Sequence, residues 1–162
     1  MRCCTTANVS GADESDSLGG LVGEAHFWTQ VSDCYATGSV SGGRKSSGLG
    51  GLVGVVSEGD VFPTSGEIVN CYAASTIEAG KDSVDVGGLL GREAEWQPLT
   101  GNCYFLSPSN GGGPDNGNGT ALSDDRMKQR ASFPGWDFDA VWTISEGTSY
   151  PRLQWEKTPS TN

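Results

Sequence analysis

Cys34-Tyr35-Ala36-Thr37-Gly38-Ser39-Val40-Ser41-Gly42 returns later in the chain as Cys71-Tyr72-Ala73-Ala74-Ser75-Thr76-Ile77-Glu78-Ala79. A degraded copy opens the sequence at Cys3-Cys4-Thr5-Thr6-Ala7-Asn8-Val9-Ser10-Gly11, and a further one starts at Cys103-Tyr104. A second block, Gly19-Gly20-Leu21-Val22-Gly23, recurs as Gly50-Gly51-Leu52-Val53-Gly54 and Gly87-Gly88-Leu89-Leu90-Gly91. Each Cys precedes the first Gly of its block by 16 residues: 3 to 19, 34 to 50, 71 to 87. From the last Gly to the next Cys the spacing is 11, 17 and 12 residues. One half of the repeat has a constant length and the other accepts insertions. The extra residues fall in Ser57-Glu58-Gly59-Asp60-Val61-Phe62-Pro63-Thr64-Ser65-Gly66, which reads as a protruding loop.

Paired glycines disfavour helix by about 1 kcal/mol each. Short Val-, Thr- and Tyr-rich runs between Gly and Ser clusters read as strands. At a rise of about 3.3 Å per residue, one repeat holds two or three short strands and their turns. Such a unit cannot bury its apolar face alone, but stacking on like neighbours does so. Equivalent residues then form rows: Cys34, Cys71 and Cys103, with Tyr35, Tyr72 and Tyr104 beside them. Asp33, Asn70 and Asn102 precede each Cys and read as a stacked Asx turn. The expected fold is all-β, a parallel β-solenoid of three to four rungs over residues 1–106.

These two blocks resemble those of the GLUG repeat family, over roughly residues 3–106. The resemblance implies a solenoid stalk or binding region of a large secreted or surface-attached bacterial protein, adhesin-like or associated with immunoglobulin A peptidases. It implies an extracellular or cell-surface location, and it carries over no catalytic residues. The chain departs from the pattern at Cys4, where Tyr is expected, at Ser75 in place of Gly, and after the last copy, where no Gly-Gly block follows. The abrupt opening at Cys3 reads as part of a longer polypeptide. Met1-Arg2-Cys3-Cys4-Thr5-Thr6 offers no apolar signal-peptide region.

Beyond the repeats, residues 107–119 read by composition as a mobile Gly/Asn-rich loop. Residues 120–156 read as a C-terminal cap, and 157–162 as a tail. Ser123 suits a helix N-cap, Asp124 and Asp125 its first turn, and Leu122 and Met127 a hydrophobic staple. Lys128 and Arg130 suit its C-terminal end, and Pro134 would stop it. The run from Trp136 to Trp142 alternates apolar residues with Asp137 and Asp139, as a strand does. Its even face, Trp136, Phe138, Ala140 and Trp142, is expected to cover the last rung near Tyr104 and Phe105, where an open solenoid end needs sealing.

Charge and composition exclude several classes. With 10 basic against 20 acidic residues the net charge is −10, which argues against nucleic-acid binding. No apolar run is long enough for a membrane span. Leu, Ile, Val and Phe make up under a fifth of the chain, a level typical of disorder, but the repeat overrides that reading.

No constellation of catalytic, cofactor-binding or metal-binding residues emerges. The cysteines read as small buried groups in a ladder, with a disulfide and a metal site as the alternatives. Cys3-Cys4 has no second pair to complete a zinc site. His26, beside Phe27 and Trp28, reads as a surface residue, since no nucleophile-elbow motif accompanies it. Asp13, Glu14, Asp16, Glu58, Asp60, Asp82 and Asp85 are candidates for a catalytic carboxylate pair, although they fall mostly in turns. Asp115-Asn116-Gly117-Asn118-Gly119 invites a calcium reading but does not complete an EF-hand loop. Phe27, Trp28, Phe62 and Trp96 are candidates for contact with sugar or protein. The Gly-rich blocks lack the Lys-Ser/Thr ending of a phosphate loop.

The function expected is therefore a non-catalytic extracellular repeat module, stalk or ligand-binding, whose partner is a host or surface protein or a glycan. The alternative is a fragment of a carbohydrate-active β-helix enzyme, of polysaccharide lyase or hydrolase type. An ice-binding solenoid needs a Thr row, and Ala74 and Leu106 break the one that Thr6 and Thr37 begin.

Overall fold

The computed structural model describes residues 2–26, 29–57, 67–93 and 99–156. The chain coils into a parallel β-solenoid. Its first turn holds β1 (Cys3–Thr5), β2 (Val9–Ser10), β3 (Asp16–Gly19), β4 (Val22–Ala25) and β5 (Gln30–Ser32). The second holds β6 (Cys34–Ala36), β7 (Ser39–Gly42), β8 (Ser47–Gly50), β9 (Val53–Val56) and β10 (Glu67–Val69). The third holds β11 (Tyr72–Ala73), β12 (Thr76–Ala79), β13 (Val84–Gly87), β14 (Leu90–Arg92) and β15 (Leu99–Gly101). β16 (Tyr104–Leu106) opens a fourth turn, and β17 (Thr120–Leu122) stacks on it. Like strands pair in parallel, in the orders β1-β6-β11-β16-β17, β2-β7-β12, β3-β8-β13, β4-β9-β14 and β5-β10-β15.

Each turn thus has five sides, where repeat length alone predicts two or three strands. The difference comes from corners. Positive φ recurs at three stacked positions: Glu14, Lys45 and Asp82; Ser17, Gly48 and Asp85; Asp33, Asn70 and Asn102. A left-handed residue turns the chain within one step, so strands of two to four residues suffice. In the last row the side chains also run as a ladder. Asn70 Nδ2 donates to Asp33 Oδ1, and Asn102 Nδ2 to Asn70 Oδ1, both at 3.5 Å.

The Gly-Gly-Leu-Val-Gly block makes the corner between β8 and β9 and its equivalents. A Cβ on Gly50 would stand 1.7 Å from the Val53 carbonyl oxygen and 2.7 Å from the Gly91 nitrogen. On Gly51 it would stand 2.1 Å from the Gly88 oxygen of the next rung. Glycine is needed here so that successive backbones can touch. The following leucines, Leu52 and Leu89, point inward and are fully buried. They join Cys34, Cys71, Cys103, Ile68, Val53 and Phe105 in the solenoid core. The insertion seen in the sequence falls between β9 and β10, at one corner of the second turn. Its residues 58–66 lie outside the described residues, as do Phe27, Trp28 and Trp96.

Residues 107–119, composed like a mobile loop, are bonded onto the end of the stack. The Gly88 N–H donates to the Pro114 carbonyl at 2.7 Å. Asn116 Nδ2 donates to the Leu90 and Gly91 carbonyls at 2.8 and 3.1 Å. This segment, rather than the aromatic one, meets the outer backbone of the third turn.

The aromatic cap contains one short helix, α1 (Asp124–Met127), with the Ser123 hydroxyl accepting from the Arg126 N–H. Leu122 and Met127 are both buried, as a staple requires. The alternating strand expected over 136–142 is not formed. Asp137 Oδ1 accepts from the Asp139 and Ala140 N–H groups at 2.9 and 2.8 Å, and this Asx turn folds the segment back. Ala140 consequently lies exposed. Trp136 and Trp142 still meet, stacked 4.3 Å apart, and Phe138 lies 6.4 Å from Trp136. A two-stranded antiparallel ribbon follows, β18 (Trp142–Thr143) with β19 (Arg152–Leu153).

The seat of the cap differs too. It packs along the flank of the solenoid, over the row Tyr35, Tyr72 and Tyr104, while Phe105 stays in the core. A tyrosine row pointing outward is an apolar stripe running along the stack, and two tryptophans cover it. Tyr35 and Tyr72 stack at 4.9 Å with 4° between their planes, and Trp142 lies 6.2 and 6.1 Å from them.

Two substitutions test this account in urea melts. Gly50→Ala forces backbone apart and should cost upward of about 3 kcal/mol. Gly147→Ala has open space around it at a φ of +70°, so only the conformational cost of about 1–2 kcal/mol should appear. In the cap, Trp142 is 0% exposed, and its Nε1 has no partner among the described residues. Trp142→Ala should cost about 3–5 kcal/mol. Trp142→Phe should cost less, because it removes the unpaired N–H and keeps an aromatic ring at the site. Asp139→Ala, at a carboxylate 95% exposed, should change little.

Candidate functional site

Where the cap meets the flank, the first three rungs and the chain around β19 leave an open cleft of about 230 Å³. Thr6, Thr37, Tyr35 and Tyr72 line its solenoid side, and Ser149, Tyr150 and Arg152 its cap side. The repeat positions the first set. Tyr35 and Tyr72 stand opposite each other in register, and Thr6 and Thr37 follow their strands at the same repeat position. Cys4 stands opposite Tyr35, so the tyrosine row ends beside the cleft.

All three tyrosine hydroxyls are engaged away from it. Tyr35 donates to the Glu156 carboxylate at 2.8 Å, and Tyr72 to the Pro151 carbonyl at 2.8 Å. Tyr150 donates to Asp124 Oδ1 at 2.5 Å. Burial, and for Tyr35 and Tyr150 the accepting carboxylate, push these phenols well above their ordinary range. They are neutral hydroxyls; the Tyr35 and Tyr72 rings are buried under the cap, and Tyr150 is half-buried at the cleft. Asp124 also binds Lys128 Nζ at 2.6 Å, and these two donors hold its carboxyl below the usual range. Arg152 is exposed and makes no ion pair among the described residues. The cleft therefore offers one half-buried tyrosine ring, three aliphatic hydroxyls and a guanidinium with no ion-pair partner among the described residues.

The other candidates from sequence fall elsewhere. His26 Nδ1 lies 2.8 Å from Ser57 Oγ, and Nε2 3.4 Å from Glu24 Oε1. This contact brings together the residue types of a nucleophile, a base and an orienting acid. It arises because His26 and Ser57 extend from register-paired β4 and β9, and it sits in solvent, with the His side chain 61% exposed. Asp16 and Asp85 are joined by Arg92, at 3.8 and 3.4 Å, in a surface network across the rungs. Asp13 and Glu14 line a shallow surface hollow with Arg44 and Lys45, and the Asp13 carboxylate accepts from the Arg44 N–H. Asp82 holds a left-handed corner. Glu58, Asp60 and Phe62 lie outside the described residues. Asp115 and Asn116 accept from the Gly117 and Asn118 N–H groups in successive Asx turns. Among the described residues no three His, Cys, Asp or Glu side chains converge as metal ligands would.

The cysteines stack as a column, with Cys3 opposite Cys34 and with Cys34, Cys71 and Cys103 buried. No disulfide joins any of the five. Cys71 donates to the Val69 carbonyl at 3.1 Å, and Cys103 to those of Ile68 and Gly101 at 3.3 and 3.4 Å. Burial pushes the Cys71 thiol far up, which keeps its proton.

The constant half of the repeat, the glycine corners and the Cys-Tyr column together define the unit that stacks. The chain carries the GLUG motif. The model of that motif matches residues 15–41. On the structure, the matched GLUG stretch starts just before β3, closes the first turn and ends within β7 of the second. The third turn repeats the GLUG strands in register. No curated protein and no solved structure matches the chain. The sequence drew attention to the aromatics of the variable loops and gave Ser149, Tyr150 and Arg152 no site role. The signal that could have found them is the break in the tyrosine row at Cys4, which leaves room beside Tyr35.

Thiol accessibility tests the column. In the native protein an aromatic disulfide reagent should modify Cys3 and Cys4 quickly. Cys34, Cys71 and Cys103 should react only at the rate of unfolding, as followed by peptide mass spectrometry. Rapid native labelling of Cys71 would contradict the buried column.

Proposed function

We propose that this chain is a non-catalytic repeat module of a bacterial surface or secreted protein, acting outside the cell as a ligand-binding stalk. The observation that carries this reading is the cleft between cap and stack. Its walls stand on in-register rungs and on an aromatic cap, a rigid base of the kind that positions binding residues. The stack adds about 4.8 Å of length per rung, a geometry suited to holding a site away from a surface. The GLUG motif and the excess of acidic residues support the same reading. Three of the candidate carboxylates are engaged in structural roles, Asp16 and Asp85 with Arg92 and Asp13 with a backbone N–H, and that weighs against the carbohydrate-active enzyme.

The test is a panel of polysaccharides, assayed in parallel for retention of the protein in affinity electrophoresis and for release of reducing or unsaturated ends. Retention without release is expected. Thr37→Tyr, which fills the cleft from its solenoid wall, should abolish retention while the thermal midpoint stays unchanged. End release proportional to protein and time would replace this reading with the enzyme. Surface biotinylation of intact cells should label the protein, and labelling only after lysis would overturn the extracellular placement.

A further inference from the structure

The cleft is built for a ligand of particular chemistry, and we infer that it takes a sugar ring bearing one carboxylate, a uronic acid unit. This rests on the ligand-binding reading above and adds the ligand class. Three features select it.

The half-buried Tyr150 ring, its hydroxyl turned to Asp124, calls for an apolar face on the ligand. The C–H face of a pyranose provides one. The rim carries Thr6, Thr37 and Ser149, hydroxyls that both donate and accept, as a polyol requires. Ser149 Oγ accepts from the Ser145 N–H at 3.2 Å, which fixes its position and leaves its proton to donate. The remaining group is Arg152, whose planar fork matches a carboxylate in two parallel hydrogen bonds. No described carboxylate pairs with it.

Charge narrows the choice further. Phosphate and sulfate sites draw on several cations or a row of backbone N–H groups, and this cleft holds one guanidinium. At about 230 Å³ the open cleft suits one saccharide unit, held as part of a chain that continues into solvent.

The experiment is a titration of the intact chain with methyl β-D-glucuronide, methyl β-D-glucoside and N-acetylglycine, followed by NMR at physiological salt. The glucuronide should shift threonine methyl and tyrosine ring signals saturably. The glucoside and N-acetylglycine, each lacking one half of the recognition, should bind at least about tenfold more weakly. Arg152→Gln should lose the preference for glucuronide over glucoside and keep its melting temperature, since the side chain is exposed and pairs with no described carboxylate. Equal binding of glucoside and glucuronide would overturn the acidic selectivity and leave the ligand-binding reading intact. Equal binding of N-acetylglycine would overturn the sugar. No shift from any of the three at tens of millimolar would overturn both this inference and the cleft as a binding site. Undiminished glucuronide preference in Arg152→Gln would place the recognition elsewhere and overturn it as well.

Discussion

Each rung of this protein bonds through its backbone to the rungs beside it, and that ladder sets almost every other feature. Parallel strands in register bring like residues face to face at about 4.8 Å. A side chain tolerated once must therefore be tolerated as a column. Small cysteines fit such a column inside the solenoid, and tyrosines stack face to face outside it, 4.9 Å apart. The same ladder demands that corners let backbones touch, and at Gly50 and Gly51 any Cβ would strike a carbonyl oxygen. The glycine content, which in composition alone resembles disorder, is the condition for close stacking.

A ladder also has ends and flanks, and the chain treats them differently. At one end the strands of the first turn form the outer members of their sheets. At the other, Pro114 and Asn116 bond to the backbone of the third turn, so a polar, glycine-rich segment does the covering. That is physically apt, since an open rung exposes N–H and C=O groups as well as apolar side chains, and a polar segment can satisfy them. The flank is the opposite case. Its tyrosine row presents ring surface, and tryptophans match it. The cap therefore sits along the stack instead of across its end.

Placing the cap on the flank creates a cleft that joins repeat and cap in one site. The repeat supplies threonines at fixed spacing, and the segment leading into β19 supplies a serine, a tyrosine and an arginine. Neither half makes the cleft alone. The anchoring bonds, Tyr72 to Pro151 and Tyr35 to Glu156, run from the repeat beside the cleft to the cap, so its shape depends on the docking of the cap.

The sequence by itself determined the repeat, its parallel stacking, the cysteine and tyrosine columns and the Asp33, Asn70 and Asn102 ladder. In a solenoid these are local properties multiplied by translation, and a period can be read without knowing the path of the chain. The one-turn helix was legible for the same reason, because a cap, a staple and a stop lie within a dozen residues. Only the tertiary structure decided the five-sided cross-section, since left-handed φ at Glu14, Lys45 or Ser17 is not encoded by residue type as it is at Asn70. It also decided the turn at Asp137, where a side-chain hydrogen bond overrode an alternating pattern, and the seat of the cap. The cleft was invisible in the sequence because Thr37 and Arg152 meet only when the tail folds back along the stack, and nothing periodic connects them.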